Sequence, residues 1–193
     1  MSKENKNKLA KFIRAIAIPP TFVVILAISL YLLNPSAFRH AGDLLLTVTF
    51  LALLPALAYP FAKIIPFFKI KGRAGSRTLA FLTSAVGYIG GTLYAFLTNA
   101  TDDLKFIFIG YLVALAALTV FNKIFKLKAS GHACGILGPL LYAVYFFGLG
   151  WLIPCAIVGC AVVWASIYRG SHTPKELLLG GMCAIAGFCI GLI

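Results

Sequence analysis

Acidic residues are scarce in this chain of 193 residues, which contains only 5 Asp and Glu. Charged residues of either sign make up 11% of the sequence, whereas hydrophobic residues make up 61%. Soluble domains are typically about 25% charged, so both a water-soluble globular fold and a disordered chain are excluded. The five cysteines are too few for a disulfide scaffold, and the glycines lack the period of collagen. An integral membrane protein remains.

Long uncharged runs predict membrane-spanning helices, because one span needs about 20 mostly apolar residues. None of them alternates as the strands of a membrane barrel do. The longest run is about twice one span and contains Gly148–Trp151 near its middle, which predicts a helical hairpin. The sequence thus predicts one all-α, polytopic membrane domain (residues 1–193) with about six to seven transmembrane helices. The runs are Ala15–Phe38, Leu44–Ala62, Thr78–Thr101, Phe106–Asn122, Ala133–Tyr168 and Leu177–Ile193.

Prolines mark the two runs whose course is hardest to predict. Pro19 and Pro20 lie near the start of the first run, where a helix tolerates proline best. This run is long and more spans follow, so we expect an uncleaved first helix rather than a signal peptide. The second run contains Pro55 and Pro60 and is followed by Pro66, so we expect it to kink, to break or to re-enter the membrane.

Basic residues collect on one side of the predicted membrane domain. Seven crossings place alternate loops on opposite sides, and only Arg39 and Lys105 then lie opposite the N-terminus. The positive-inside rule favours a cytoplasmic N-terminal side in a multi-pass protein of the cell membrane, whereas a proline-rich second run that does not span would reverse all later loops relative to the N-terminus. The five N-terminal charges are expected to reflect topology rather than anion chemistry. The basic residues of that side are Lys3, Lys6, Lys8, Lys11, Arg14, Lys63, Lys69, Lys71, Arg73, Arg77, Lys123, Lys126, Lys128, Arg169 and Lys175.

Two smaller patterns concern helix packing. Glycines spaced four residues apart predict close approach of membrane helices. All cysteines fall inside predicted helices and are expected to be buried as small apolar side chains. The glycine pairs are Gly87 with Gly91, Gly131 with Gly135, and Gly187 with Gly191, and the cysteines are Cys134, Cys155, Cys160, Cys183 and Cys189.

Two histidines begin predicted helices on the basic side. His132 lies in KASGHACG and His172 lies in IYRGSHTPKE, two crossings later. Two histidines, Glu176 and many Lys and Arg residues suit an anionic substrate such as a phosphate, because basic side chains bind its oxygens and imidazoles attack phosphorus or transfer protons. His40 lies on the opposite side, and no site role is expected for it.

Helix capping explains the same residues without any chemistry. Ser130 can cap the helix that contains His132. Thr173 through Glu176 reads as a capping box with proline at the first helical position, in which Glu176 would only bond its own helix end. The spacing alone leaves both interpretations open.

The two histidine motifs resemble the type 2 phosphatidic acid phosphatase family, the membrane branch of the acid phosphatase and vanadium haloperoxidase superfamily. Ser130, Gly131 and His132 match the family's second motif, Ser-Gly-His at a helix start. The third motif is matched at Tyr168, Gly170, His172, Pro174 and Gly180. The resemblance is specific over about residues 123–185, within a motif-bearing core of about residues 104–193.

The resemblance implies a role for each residue of the site. His172 would attack phosphorus and form a phosphohistidine, His132 would protonate the leaving oxygen, and Glu176, in place of the usual Asp, would orient His172. Phosphate would be bound without metal or cofactor. The implied phosphate-binding residues are Lys71, Arg73, Arg77, Lys128, Ser130, Gly131 and Arg169.

Two basic positions of the family pattern differ in this chain. Ser166 stands where the third motif has its arginine, and Arg169 lies one helical turn further on. The first motif is matched loosely by Lys71 and Arg77, with Thr78 in place of proline, and Lys123, Lys126 and Lys128 compete for the same role.

The sequence therefore predicts a membrane phosphatase that hydrolyses a phosphate or diphosphate monoester on a lipid. Phosphatidic acid, phosphatidylglycerol phosphate and a polyprenyl diphosphate are the candidate substrates, and no nucleic-acid partner is expected. Three alternatives stay open: a catalytically impaired relative that binds lipid phosphate, a lipid phosphotransferase with the same histidines, and, ranked low, an anion transporter. A transporter should bury polar residues within its spans, and the predicted helices have almost none.

Overall fold

The computed structural model describes residues 2–193, apart from the side chain of Arg73, and every regular element in that range is helical. The all-α fold predicted from the sequence is confirmed. The α-helices are α1 (Lys3–Ile16), α2 (Pro19–Leu33), α3 (Ala41–Val48), α4 (Leu54–Ile64), α5 (Pro66–Ile70), α6 (Gly72–Leu97), α7 (Asp102–Thr119), α8 (Gly131–Phe147), α9 (Leu152–Tyr168) and α10 (Pro174–Gly191).

Five helical segments of the described chain are long and apolar enough to cross a membrane, which makes this a membrane-embedded protein. A sixth is obtained if α1 and α2, which meet at an angle of 59°, are taken as one bent span. The helix α8 is apolar but shorter, with 17 residues. The five segments are Ala41–Ile64, Ala74–Leu97, Asp102–Ile124, Leu149–Tyr168 and Pro174–Gly191.

The first predicted run divides at its prolines. The helix α1 ends at Ile16, and α2 begins at Pro19 with Pro20 in its first turn. Proline is tolerated there because the first N–H groups of a helix have no intrahelical acceptor. The bend separates α1, which is amphipathic and carries the N-terminal lysines, from the apolar α2.

The proline-rich second run is one continuous helical segment, Ala41–Ile64, rather than a broken one. A π-helical turn, Thr49–Leu53, joins α3 to α4 immediately before Pro55. Proline lacks an N–H and its ring crowds the carbonyl four residues earlier, and a wider π turn removes that conflict. The helix thus absorbs the proline within a single span.

Glycines allow close contacts between the central helices, where α10 packs along α7 and α8, and α6 packs along α4 and α7. A Cβ on Gly187 would collide with the Gly110 carbonyl oxygen, and one on Gly87 would collide with the Phe50 carbonyl oxygen. The predicted role of these glycines in helix packing is confirmed. Gly131 is different, because its nearest neighbour would lie 4.0 Å from an added Cβ.

The predicted hairpin is formed by α8 and α9. Gly148 ends α8 with a φ of 88°, a left-handed conformation that favours glycine, and a short 3-10 turn leads into α9. The helix α9 lies at the edge of the bundle, where it packs against α8 and α1. The cysteines are free thiols: Cys134, Cys155 and Cys183 are buried as expected, whereas Cys160 and Cys189 are exposed.

Candidate functional site

A large cavity of about 1040 Å³ opens between the helices and contains both motif histidines. Its interior is apolar and aromatic, with Tyr88, Tyr111 and Tyr142 among its lining residues. His132 and His172 line the cavity near the starts of α8 and α10, together with a group of basic side chains. This part of the cavity is its basic end. Such a cavity matches a ligand with a long apolar part and an anionic head.

The carboxylate of Glu176 connects His172 to Lys128. His172 Nδ1 lies 3.0 Å from Glu176 Oε2, and Lys128 Nζ lies 2.7 Å from Glu176 Oε1. The side chains of His172 and Glu176 are 16% and 11% exposed, whereas that of Lys128 is 61% exposed. A carboxylate on Nδ1 orients the imidazole and leaves Nε2 free as a nucleophile or base.

Helix capping and the histidine contact coexist in the same residues. Thr173 Oγ1 accepts a hydrogen bond from the Glu176 N–H at 3.2 Å, and Ser130 Oγ accepts one from the Ala133 N–H at 3.2 Å. Both predicted caps are confirmed. The interpretation in which Glu176 serves only its own helix end is wrong, because its carboxylate contacts His172 and Lys128 instead.

The His132 ring faces that of His172 across the site. The two ring centroids lie 6.2 Å apart and the ring planes differ by 11°. His132 Nε2 is buried and has no hydrogen-bond partner among the described residues. A buried polar atom without a partner is costly, so this nitrogen is available to a ligand that enters the cavity.

Main-chain contacts fix the spacing of the two histidines. The Ser130 N–H donates to the Glu176 carbonyl oxygen at 2.9 Å, which joins the start of α8 to the first turn of α10. Gly180 permits this approach, because a Cβ there would collide with the Ser130 carbonyl oxygen. The Asn122 carboxamide, a contact not foreseen from the sequence, bonds both the N–H and the carbonyl oxygen of Ala129 at 3.2 Å.

Most of the sequence-predicted site residues line this one cavity, but Lys71 and Arg169 do not. Lys71 instead places its Nζ 4.0 Å from the centroid of the Phe67 ring. Arg169 donates to Asn7 Oδ1 at 2.7 Å and does not line the cavity, and the Arg73 side chain lies outside the described residues. The predicted residues that line the cavity are Arg77, Lys128, Ser130, Gly131, His132, His172 and Glu176.

Three further basic residues line the cavity although the sequence did not predict them as site residues. Lys63 and Lys69 come from the second predicted basic loop. Arg14 comes from α1, and its Nη1 donates to Ser171 Oγ, next to His172. Of the described basic residues of α1, Arg14 is the one that lines this cavity. No local pattern marks it, because its place in the site depends on the packing of α1 against α9.

The charge of the site is strongly one-sided. Among the described residues, Glu176 is the sole acidic side chain lining the cavity, against several lysines and arginines. Such a field attracts anions and stabilises negative charge that develops during a reaction.

No protein-family model, curated protein or solved structure matches this chain.

Proposed function

We propose that this membrane protein is a lipid-phosphate phosphatase of the type 2 phosphatidic acid phosphatase kind. The observation that carries the proposal is the pair of facing imidazoles, one oriented by Glu176, in a cavity with a basic end and an apolar interior. The phosphate or diphosphate head of a lipid would lie between His132 and His172. Its apolar chain would extend towards the tyrosine-lined interior of the cavity.

The proposed reaction has two steps. The lone pair of His172 Nε2 attacks phosphorus and the bond to the lipid oxygen breaks, while His132, which takes up a proton when the anionic substrate binds, supplies that proton to the oxygen. Water then attacks phosphorus and the bond to His172 Nε2 breaks, a proton of the water passes to His132, and phosphate leaves. The basic side chains stabilise the charge on the transferring phosphoryl group, as such groups do in other phosphoryl transfers.

Phosphate release from a panel of lipid phosphates in detergent tests the proposal. The wild-type protein should release phosphate from at least one of phosphatidic acid, phosphatidylglycerol phosphate and a polyprenyl diphosphate. His172→Ala should reduce that rate at least about 1000-fold, because it removes the nucleophile. His40→Ala, at the opposite end of the bundle, is the matched control and should keep full activity. Undiminished turnover by His172→Ala would contradict the mechanism.

Lipid-phosphate binding without hydrolysis is a second candidate function. It is favoured by Ser166, which stands at the position of the third-motif arginine. It is also favoured by Arg169, which donates to Asn7 and does not line the cavity. A protein of this kind would bind the same lipids to the same cavity but release no phosphate. The phosphate-release experiment separates the two candidates when it is paired with a lipid-binding measurement on the wild-type protein.

A further inference from the structure

The helix α1 holds one arginine against the site. Ala10 of α1 is fully buried, and α1 packs along α9. Two exposed contacts with the end of α9 add to this packing: Arg169 with Asn7, and the Tyr168 hydroxyl, which donates to the Lys3 carbonyl oxygen at 3.4 Å. Arg14 is thereby directed into the cavity, whereas the exposed lysines of α1 are not.

The Arg14 guanidinium lacks a negative partner. None of the ion pairs among the described residues includes it, and its Nε is buried without a hydrogen-bond partner. Its Nη1 bonds only a neutral hydroxyl, that of Ser171. The nearby carboxylate of Glu176 is already engaged by Lys128 and His172. A partly buried guanidinium is strongly stabilised by an anion, and its planar set of N–H donors matches phosphate oxygens.

We propose that Arg14, delivered by the amphipathic helix α1, binds the phosphoryl group at the two histidines. This inference rests on the proposed function and assigns the phosphate-binding arginine of that site. Arg14 lies close to His172, because its guanidinium donates to the hydroxyl of Ser171, the residue immediately before His172. Arg14 thereby supplies from α1 the charge that α9 does not supply at the buried Ser166.

Steady-state kinetics of three variants test this assignment. Arg14→Ala should lower kcat/KM at least about 100-fold, the usual effect of removing a donor to a developing oxyanion. Arg14→Lys should fall between wild type and Arg14→Ala, because lysine keeps the charge but loses the paired donors. Lys11→Ala is the matched control on the same helix and should behave as wild type. Added guanidinium ion should restore part of the activity of Arg14→Ala and none of that of His172→Ala.

Binding of inorganic phosphate gives a readout that does not depend on turnover. Isothermal titration should show that phosphate binds Arg14→Ala at least about 10-fold more weakly than wild type or Lys11→Ala. Equal phosphate binding by Arg14→Ala and wild type would overturn the assignment of Arg14. A wild-type protein that binds phosphate through Arg14 but releases none from any lipid would overturn the proposed phosphatase function and leave this inference standing.

Discussion

Glu176 contacts both a histidine and a lysine of the site through its carboxylate. Its two carboxylate oxygens face different partners, His172 Nδ1 and Lys128 Nζ. One contact orients the imidazole, and the other supplies a positive charge that keeps the carboxylate ionised. An uncharged side chain at this position would weaken both.

Substitution of Glu176 should separate charge from shape. Glu176→Gln should lower kcat by about 100-fold to 10,000-fold, because an amide neither favours the required tautomer nor stabilises an imidazolium. Glu176→Asp keeps the charge and should retain much more activity. The measurement is kcat for phosphate release by the two variants and wild type. Equal activity of the Gln and Asp variants would contradict the role of Glu176 in orienting His172.

Arg169 should matter little to the chemistry, because its guanidinium bonds Asn7 and lies outside the cavity. We expect Arg169→Ala to retain most phosphate release and to change it no more than Asn7→Ala, which removes the other half of the same contact. Both rates can be measured side by side in detergent. A much larger loss for Arg169→Ala than for Asn7→Ala would indicate that Arg169 reaches the phosphate.

The sequence predicted the parts of the site that depend on local geometry. His172 and Glu176 are four residues apart, so they lie on one helical face and their contact follows from helix periodicity. The caps at Ser130 and Thr173 also follow from residue type and position. Arg14 could not be predicted in this way, because its contact with Ser171 joins positions that are 157 residues apart. Nothing in the sequence indicates that α1 folds back onto α9.

At the scale of whole elements, the π turn and the glycine contacts decide how the helices fit. The π turn at Thr49–Leu53 keeps the proline-rich segment in one piece, and the Phe50 carbonyl of that turn approaches Gly87 on α6. The sequence indicated both the prolines and the glycines, but not which backbone each glycine would meet. That pairing depends on the register between helices, which hydrophobic runs do not encode.

The contact of α7 with α10 should fail if Gly187 gains a side chain. A Cβ there would collide with the Gly110 carbonyl, so Gly187→Ala should destabilise the protein by about 1–3 kcal/mol. Gly159→Ala on α9 is the matched control, because its Cβ would lie 3.8 Å from Leu140, an ordinary contact. The measurement is the Tm of each variant in detergent. A Tm of Gly187→Ala equal to that of Gly159→Ala would contradict the tight packing of α7 on α10.

At the scale of the whole molecule, basic residues from distant parts of the chain meet at one end. Arg14, Lys63, Lys69, Arg77 and Lys123 come from the first, second and third predicted basic loops, and all line the same cavity. The sequence predicted that these loops share one side, from the alternation of crossings. Some of the basic residues behind the net charge of +12 therefore line the cavity, and the same residues also contribute to the charge bias that predicts the topology.

The positive-inside rule predicts that the site faces the cytoplasm. A single cysteine at Lys175, an exposed residue beside the site, should react with a membrane-impermeant maleimide in inside-out vesicles and be protected in right-side-out ones. The native cysteines are first replaced by serine or alanine. A single cysteine at Asp102, which is exposed at the opposite end, should give the reverse pattern. The same pattern from both positions would contradict the predicted orientation.

The bond between the Ser130 N–H and the Glu176 carbonyl oxygen uses only main-chain atoms. Any amino acid except proline provides that donor, so this link between the starts of α8 and α10 does not require a serine side chain at position 130. Position 180, in contrast, requires glycine, because the carbonyl of residue 130 fills the space that a Cβ would occupy there. A substitution at position 130 would therefore leave this bond in place, whereas a side chain at position 180 would push the starts of α8 and α10 apart.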